Sequence, residues 1–217
     1  MNQLFNYDNG LFRAVGKAVD AFYLSLLWVL FSLPVVTIGA SATALYYAVH
    51  KSLRGNRSYL WESFWSAFKS NFKQATKIWL ILAAGFAFLF ADSRITLSML
   101  EQGARMGILY YFFYFLMYFL AVWSVYIFAY SARFENGMKD TMKNAAIIAV
   151  IHLPGSLLVF GVLFAAGFLI SIFIPFLFIV PAAAAVLLDM ILEKIFRRYM
   201  SQEDLQKEEE LSWEQHS

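Results

Sequence analysis

The sequence predicts an all-α protein, a polytopic transmembrane helix bundle, on three observations. Hydrophobic residues make up 61% of the 217 positions and charged residues 15%, against about 45–50% and about 25% in soluble domains. Water offers no place for that surplus of apolar surface. The apolar residues are also gathered in runs that suit a hydrocarbon layer about 30 Å thick, which takes roughly 20 helical residues to cross. Helices satisfy their backbone amides internally, as lipid requires. Finally, residues 201–217 hold six acids and one Lys, while the preceding 200 residues carry 16 basic and 9 acidic side chains. A basic membrane face followed by an acidic tail fits that split.

Taken in order, residues 10–33 are the first expected span, with Asn9 as its N-cap. Pro34 divides the apolar stretch Ala18–Val49 into either one kinked helix or two helices, 10–33 and 38–54. The excess of Lys and Arg in cytoplasmic loops arbitrates. Lys51, Arg54, Arg57, Lys69, Lys73 and Lys77 assign residues 51–77 to the cytoplasm. Two helices give six spans with 15 of the 17 basic residues inside, and one gives five spans with 13, so six are preferred. Spans 75–92 and 106–132 follow. Residues 145–192 are too long for one crossing, and Gly167, Pro175 and Pro181 supply breaks, so 145–167 and 168–192 are read as a tight hairpin. Residues 1–200 thus form one domain with both termini cytoplasmic, followed by an acidic tail, 201–217, expected to be helical over Gln202–Gln215.

Between the second and third spans, residues 58–74 carry Leu60, Trp61, Phe64, Trp65, Phe68 and Phe72 at helical spacing opposite Glu62, Ser63, Ser66, Lys69, Ser70 and Lys73, with Ser58 placed as a cap. An amphipathic helix with an aromatic face and basic flanks suits the headgroup boundary of the bilayer. Trp61, Phe64, Trp65, Phe68 and Phe72 are alternatively a docking face for a cytoplasmic partner. The loop Arg133–Asn144 offers Arg133, Glu135, Lys139 and Lys143 where importer permeases carry a coupling helix. The basic residues there also obey the inside rule, and Asp140 and Asn144 can cap the next helix.

Polar side chains at membrane depth are costly and therefore functional candidates. Thr37, Ser41 and Thr43 lie near the Pro34 turn, and His152 lies inside the fifth span. Together they could line a polar membrane site; separately, the hydroxyls bond back to their own helix and His152 bonds a neighbour. Asp189, Glu193 and Arg197 follow i, i+4 spacing, which suits local ion pairing. Aromatics crowd residues 106–130, including Tyr110, Tyr111, Tyr114, Tyr118 and Tyr126, and read as interface belts more readily than as a sugar path. Gly39 with Thr43, and Gly161 with Ala165, are small-xxx-small seams for close helix contact.

Phe5-Asn6-Tyr7-Asp8-Asn9, Leu33-Pro34-Val35-Val36-Thr37-Ile38-Gly39 with Thr43-Ala44-Leu45-Tyr46-Tyr47, and Phe64 to Gln74 together resemble the YesL-like family of bacterial integral membrane proteins. Ala132-Arg133-Phe134-Glu135 and Thr141 to Asn144 are similar to its later cytoplasmic loop. The likeness covers the first two thirds of the chain; beyond Pro154 it is mostly hydrophobicity. The resemblance implies a multi-pass protein of the bacterial plasma membrane whose activity is uncharacterised. The family's frequent neighbourhood with sugar importers of the ATP-binding-cassette (ABC) type implies a role in carbohydrate uptake, as an accessory or assembly component. A permease in its own right, or a membrane sensor binding another cytoplasmic protein, are the alternatives.

No catalytic signature is present: neither H-E-x-x-H, nor G-x-S-x-G, nor a phosphate loop. With no Cys there is no thiolate chemistry, and the three His, at 50, 152 and 216, are too scattered in sequence to argue a metal site. The expectation is therefore a non-enzymatic protein with no cofactor and no metal, whose partners are the lipid bilayer and ABC importer subunits or another cytoplasmic protein, with no nucleic acid.

Overall fold

Helix α1 (Gly10–Ser32) stops before Pro34, whose ring and missing N–H cannot continue it. The chain, a computed structural model, is described over residues 10–54, 59–102 and 104–200, with side chains for 15–52, 59–102 and 104–200. The expected caps Asn9 and Ser58, the side chains of Arg54 and Arg57, and the acidic tail lie outside the described residues. After Pro34 a 3-10 turn (Val35–Thr37) leads into α2 (Ile38–Ala48), which packs back on α1. Pro34 thus separates two helices. The Thr37 hydroxyl lies within hydrogen-bond range of the Phe31 carbonyl (2.5 Å), which the end of α1 leaves open, and of the Pro34 carbonyl (2.7 Å). A π-helical turn, Val49–Arg54, closes α2.

The expected interfacial helix 58–74 and third span 75–92 are one helix, α3 (Leu60–Glu101). Its 42 residues extend about 63 Å at 1.5 Å per residue, twice the hydrocarbon thickness. Neither Gly nor Pro occurs between Leu60 and Ala84, so nothing at residue 74 interrupts the amide ladder. A 3-10 turn (Arg105–Ile108) then reverses the chain into α4 (Leu109–Arg133). Gly107 is required at that reversal, because a Cβ there would stand 2.3 Å from the Leu100 Cα.

The expected hairpin, 145–167 with 168–192, is displaced. Helix α5 (Met138–Ile151) ends at His152, and α6 (Leu153–Ile172) starts with Pro154 in its first turn and runs through Gly167 unbroken. Pro is pre-organised for a helix start, whereas a single Gly in an apolar helix stays helical because lipid offers its amide no other partner. The Ser156 hydroxyl donates to the Ala149 carbonyl (2.7 Å) across the break. The reversal falls at 173–179, around Pro175, before α7 (Val180–Phe196). Ser25 of α1 completes the start of α7: its buried oxygen accepts from the Ala182 amide (3.0 Å) and donates to the Ile179 carbonyl (3.3 Å).

Two apolar clusters hold the bundle. One joins Ile78, Leu82, Val122, Tyr126, Ile148, Val159 and Leu192 across α3 to α7; the other joins Leu24, Ala40, Ala44, Phe64, Ala75 and Ala182. Gly39 is where α2 meets α3 closely, since a Cβ there would lie 2.6 Å from the Ala75 carbonyl oxygen and 2.7 Å from the Trp79 Cβ. Gly161 has no atom within 4 Å of such a Cβ, so that expected seam has no partner among the described residues. The outward faces stay apolar: Phe88, Phe115, Leu157, Phe164 and Ile172 are all exposed. Four stretches, Val15–Ser32, Leu60–Glu101, Arg105–Arg133 and Leu153–Ile172, are long and apolar enough to cross a membrane. The architecture is therefore all-helical among the described residues, with several membrane-spanning candidates.

Candidate functional site

Four charged or ionisable side chains from three helices converge at the end of the bundle where α2, α4 and α7 terminate. His50 stands in the π-helical turn that closes α2, a local geometry that often marks functional sites. Its Nδ1 lies 2.9 Å from Asp189 Oδ1 and 3.7 Å from Glu193 Oε2, both on α7. Arg133, the last residue of α4, donates from Nη2 to Glu193 Oε1 at 2.7 Å and also approaches the Met200 sulfur at 3.6 Å. Asp189 is fully buried and Glu193 is 6% exposed. Glu193 Oε2 is buried in the cluster and accepts no hydrogen bond, while the Tyr46 hydroxyl is directed at Asp189. The charged neighbours of Tyr46 are Asp189, Glu193 and Arg133.

The spacing of Asp189 and Glu193 put them on one face of α7, as the sequence indicated, but their partners are His50 and Arg133 rather than Arg197. Sequence reasoning also passed over His50. The available signal was cost: two carboxylates four residues apart inside an apolar helix need buried compensation from elsewhere.

Beside this cluster a cleft of about 510 Å³ opens between α3 and the α4–α5 loop, lined by Tyr47, Ser66, Ser70, Asn71, Arg133 and Asn136 among others. Gln74 fastens its floor, donating to the Asn136 carbonyl (3.0 Å) and the Thr141 hydroxyl (3.2 Å). The cleft thus unites the two segments that the sequence singled out as cytoplasmic. Glu135, Lys139 and Lys143 are exposed, whereas Arg133 turns inward to Glu193. Asn144 does not cap α5; with Asn136 it donates to the Tyr130 hydroxyl at 3.1 Å.

The aromatic face of α3 divides. Phe64 and Phe68 are buried against Phe31 of α1, at ring-centroid distances of 5.6 and 5.0 Å. Trp65 contacts Phe31 as well and carries Lys69 Nζ 4.9 Å from its ring centroid. Trp61 and Phe72 remain exposed. Thr37 ends the 3-10 turn before α2, and Ser41 and Thr43 stand within α2, donating to the carbonyls of Thr37 and Gly39 at 3.0 Å. His152 stands apart from them at the α5–α6 break, with Nε2 3.1 Å from the Tyr199 hydroxyl. These four residues are not brought together.

Geometry and composition define a multi-helix protein with membrane-spanning candidates. Residues 21–93 match a family described as "Protein of unknown function, DUF624". The matched stretch takes in most of the first hairpin and α3 as far as Ser93, including Leu33 to Gly39, Thr43 to Tyr47 and Phe64 to Gln74. No curated protein and no solved structure matches the chain.

Proposed function

We propose that this protein is a non-enzymatic accessory component of carbohydrate uptake, a YesL-like protein of the bacterial plasma membrane that docks a subunit of an ABC importer at its cytoplasmic end. The observation that carries the reading is the polar cleft between α3 and the α4–α5 loop. It presents hydroxyl and amide side chains of α3 opposite a loop that leads to the exposed Lys139 and Lys143, and suits a protein surface with mixed polar and acidic groups. Six passes place Lys51, Lys73, Arg133, Lys139 and Lys194 together in the cytoplasm, in keeping with the positive-inside rule. In that arrangement α1 and α2 cross as a hairpin, α5 and α6 cross jointly, and both termini are cytoplasmic. An accessory role is favoured over a permease because the α2 hydroxyls are consumed by their own helix and His152 sits apart from them.

Photo-crosslinking amino acids at Asn71 and Glu135, activated in native membranes, test the reading. The expected product is a crosslink to the membrane-spanning or ATP-hydrolysing subunit of a sugar importer, lost when Ser70→Trp fills the cleft. The proposal fails if Asn71 and Glu135 give the same products as a probe at Phe88 on the outer apolar face, or if Ser70→Trp leaves the crosslinks unchanged.

A further inference from the structure

The polar cluster carries more than an ion-pair network needs. The ligand-capable atoms of His50, Asp189 and Glu193 all lie within 4.8 Å of one another. Arg133 Nη2 donates to Oε1 of Glu193. Its other oxygen, Oε2, is buried with no hydrogen-bond donor and faces His50 Nδ1 at 3.7 Å, beyond hydrogen-bond range. Tyr46, 4% exposed, sets its hydroxyl against the Asp189 carboxylate. A proton on His50 answers only one of these needs, the 2.9 Å contact to Asp189. Buried polar atoms left without partners call for a specific occupant.

Charge points the same way. Asp189 and Glu193 set two buried carboxylates side by side, in a setting where charge is expensive to bury. A dication placed among Nδ1, Asp189 and Glu193 Oε2 engages the imidazole nitrogen and both carboxylates at once. One nitrogen with two carboxylates suits borderline divalent ions of the first transition row, zinc first and manganese second, better than magnesium or calcium, which favour all-oxygen shells.

We propose that His50, Asp189 and Glu193 bind one divalent transition-metal ion, with the Tyr46 hydroxyl orienting the Asp189 carboxylate, and that the ion clamps the π-helical turn after α2 to α7. Being built from the partly buried His50 in the turn after α2 and two buried carboxylates on α7, the site pins the first hairpin to the last helix. It does not depend on what the neighbouring cleft docks.

The test uses full-length protein purified in detergent without a polyhistidine tag, stripped of metal and titrated with Zn²⁺ and separately with Mn²⁺. The expected result is one ion per chain, a rise in unfolding temperature on loading, and visible absorption bands when Co²⁺ is substituted. His50→Gln and Asp189→Asn should each lose affinity by more than about 100-fold, and Tyr46→Phe by about 10- to 100-fold, as groups behind a ligand do. His152→Gln should bind as wild type does. Circular dichroism identifies variants that remain folded, and Tyr46→Phe, which alters no charge, keeps the test decisive if the others do not. Wild-type protein that takes up no more Zn²⁺ or Mn²⁺ than His50→Gln, or equal affinity in wild type and a folded Asp189→Asn or Tyr46→Phe, overturns the proposal.

Discussion

His50 Nδ1 and Asp189 Oδ1 meet at 2.9 Å although 139 residues separate them. This contact ties the end of the first hairpin to the last helix. Asp189 is fully buried, so its charge needs compensation, and His50 faces it while Arg133 stands nearby on Glu193. The value of such a network lies in fixing which surfaces meet: a hydrophobic core accepts small shifts in register, while buried charges reject any arrangement that separates them.

Breaking the network from one side should therefore cost more than removing it. Arg133→Met leaves Glu193 buried beside a methionine and should lower stability by about 3–5 kcal/mol, the range for an orphaned buried charge. The double variant Arg133→Met with Glu193→Met should recover most of that loss. Denaturant unfolding of metal-free protein in mixed micelles measures both, and a double variant as unstable as the single one would show that Arg133 acts by something other than charge compensation.

How much of this was legible in the sequence depends on the range of the forces involved. The break at Pro34 follows from one residue and its own backbone, and it is found where expected. The continuity of α3 across residue 74 was not foreseen, because an amphipathic segment and an apolar one differ in surroundings rather than in backbone conformation. The reversal at 173–179 instead of 167 reflects an environment in which a glycine amide has no competitor for its helical partner. In the site, i, i+4 spacing placed Asp189 and Glu193 on a common face. No local rule names His50 as the residue that meets them, since that depends on how α2 and α7 pack.

The contact at Gly39 should be intolerant of even a methyl group. A Cβ there would meet the Ala75 carbonyl, the Trp79 Cβ and the Phe128 ring at 2.6, 2.7 and 2.9 Å, and the first of these is backbone that cannot rotate away. Gly39→Ala should destabilise the fold by about 1–3 kcal/mol, the usual range for overpacking. Gly161→Ala, with open space around it, should be neutral or slightly stabilising in the isolated chain. A loss at Gly161 comparable to that at Gly39 would reveal a helix partner from outside this chain.

An indole ties the Pro34 turn to α3. Trp79 Nε1 donates to the Val35 carbonyl at 2.7 Å, anchoring the tip of the first hairpin to α3. Trp79→Phe keeps the ring and removes the donor, and should cost about 0.5–1.5 kcal/mol. Hydrogen exchange reads the consequence locally: amides at the start of α2 should exchange faster while those of α4 are unaffected. Uniform acceleration across both helices would mean that the ring's packing, not its hydrogen bond, is what matters.

The order of passes can be read with single cysteines, because the chain contains none of its own. Gln74 bonds the Asn136 carbonyl, which brings the exposed Lys73 and Lys139 to one end, while Gly107 packs on Leu100 and brings the exposed Glu101 and Arg105 to the other. A membrane-impermeant maleimide on intact cells should label Glu101→Cys and Arg105→Cys and spare Lys73→Cys and Lys139→Cys until the membrane is opened. Lys17→Cys decides the count. Six passes put it with Lys73, protected in intact cells; five put it with Arg105, labelled at once. Because α1 and α2 are separate helices packed on each other, the six-pass outcome is expected. Labelling of Lys17→Cys from outside would mean that the first hairpin does not return across the bilayer, and the docking cleft would then have to be reassigned to a protein with its N-terminus outside.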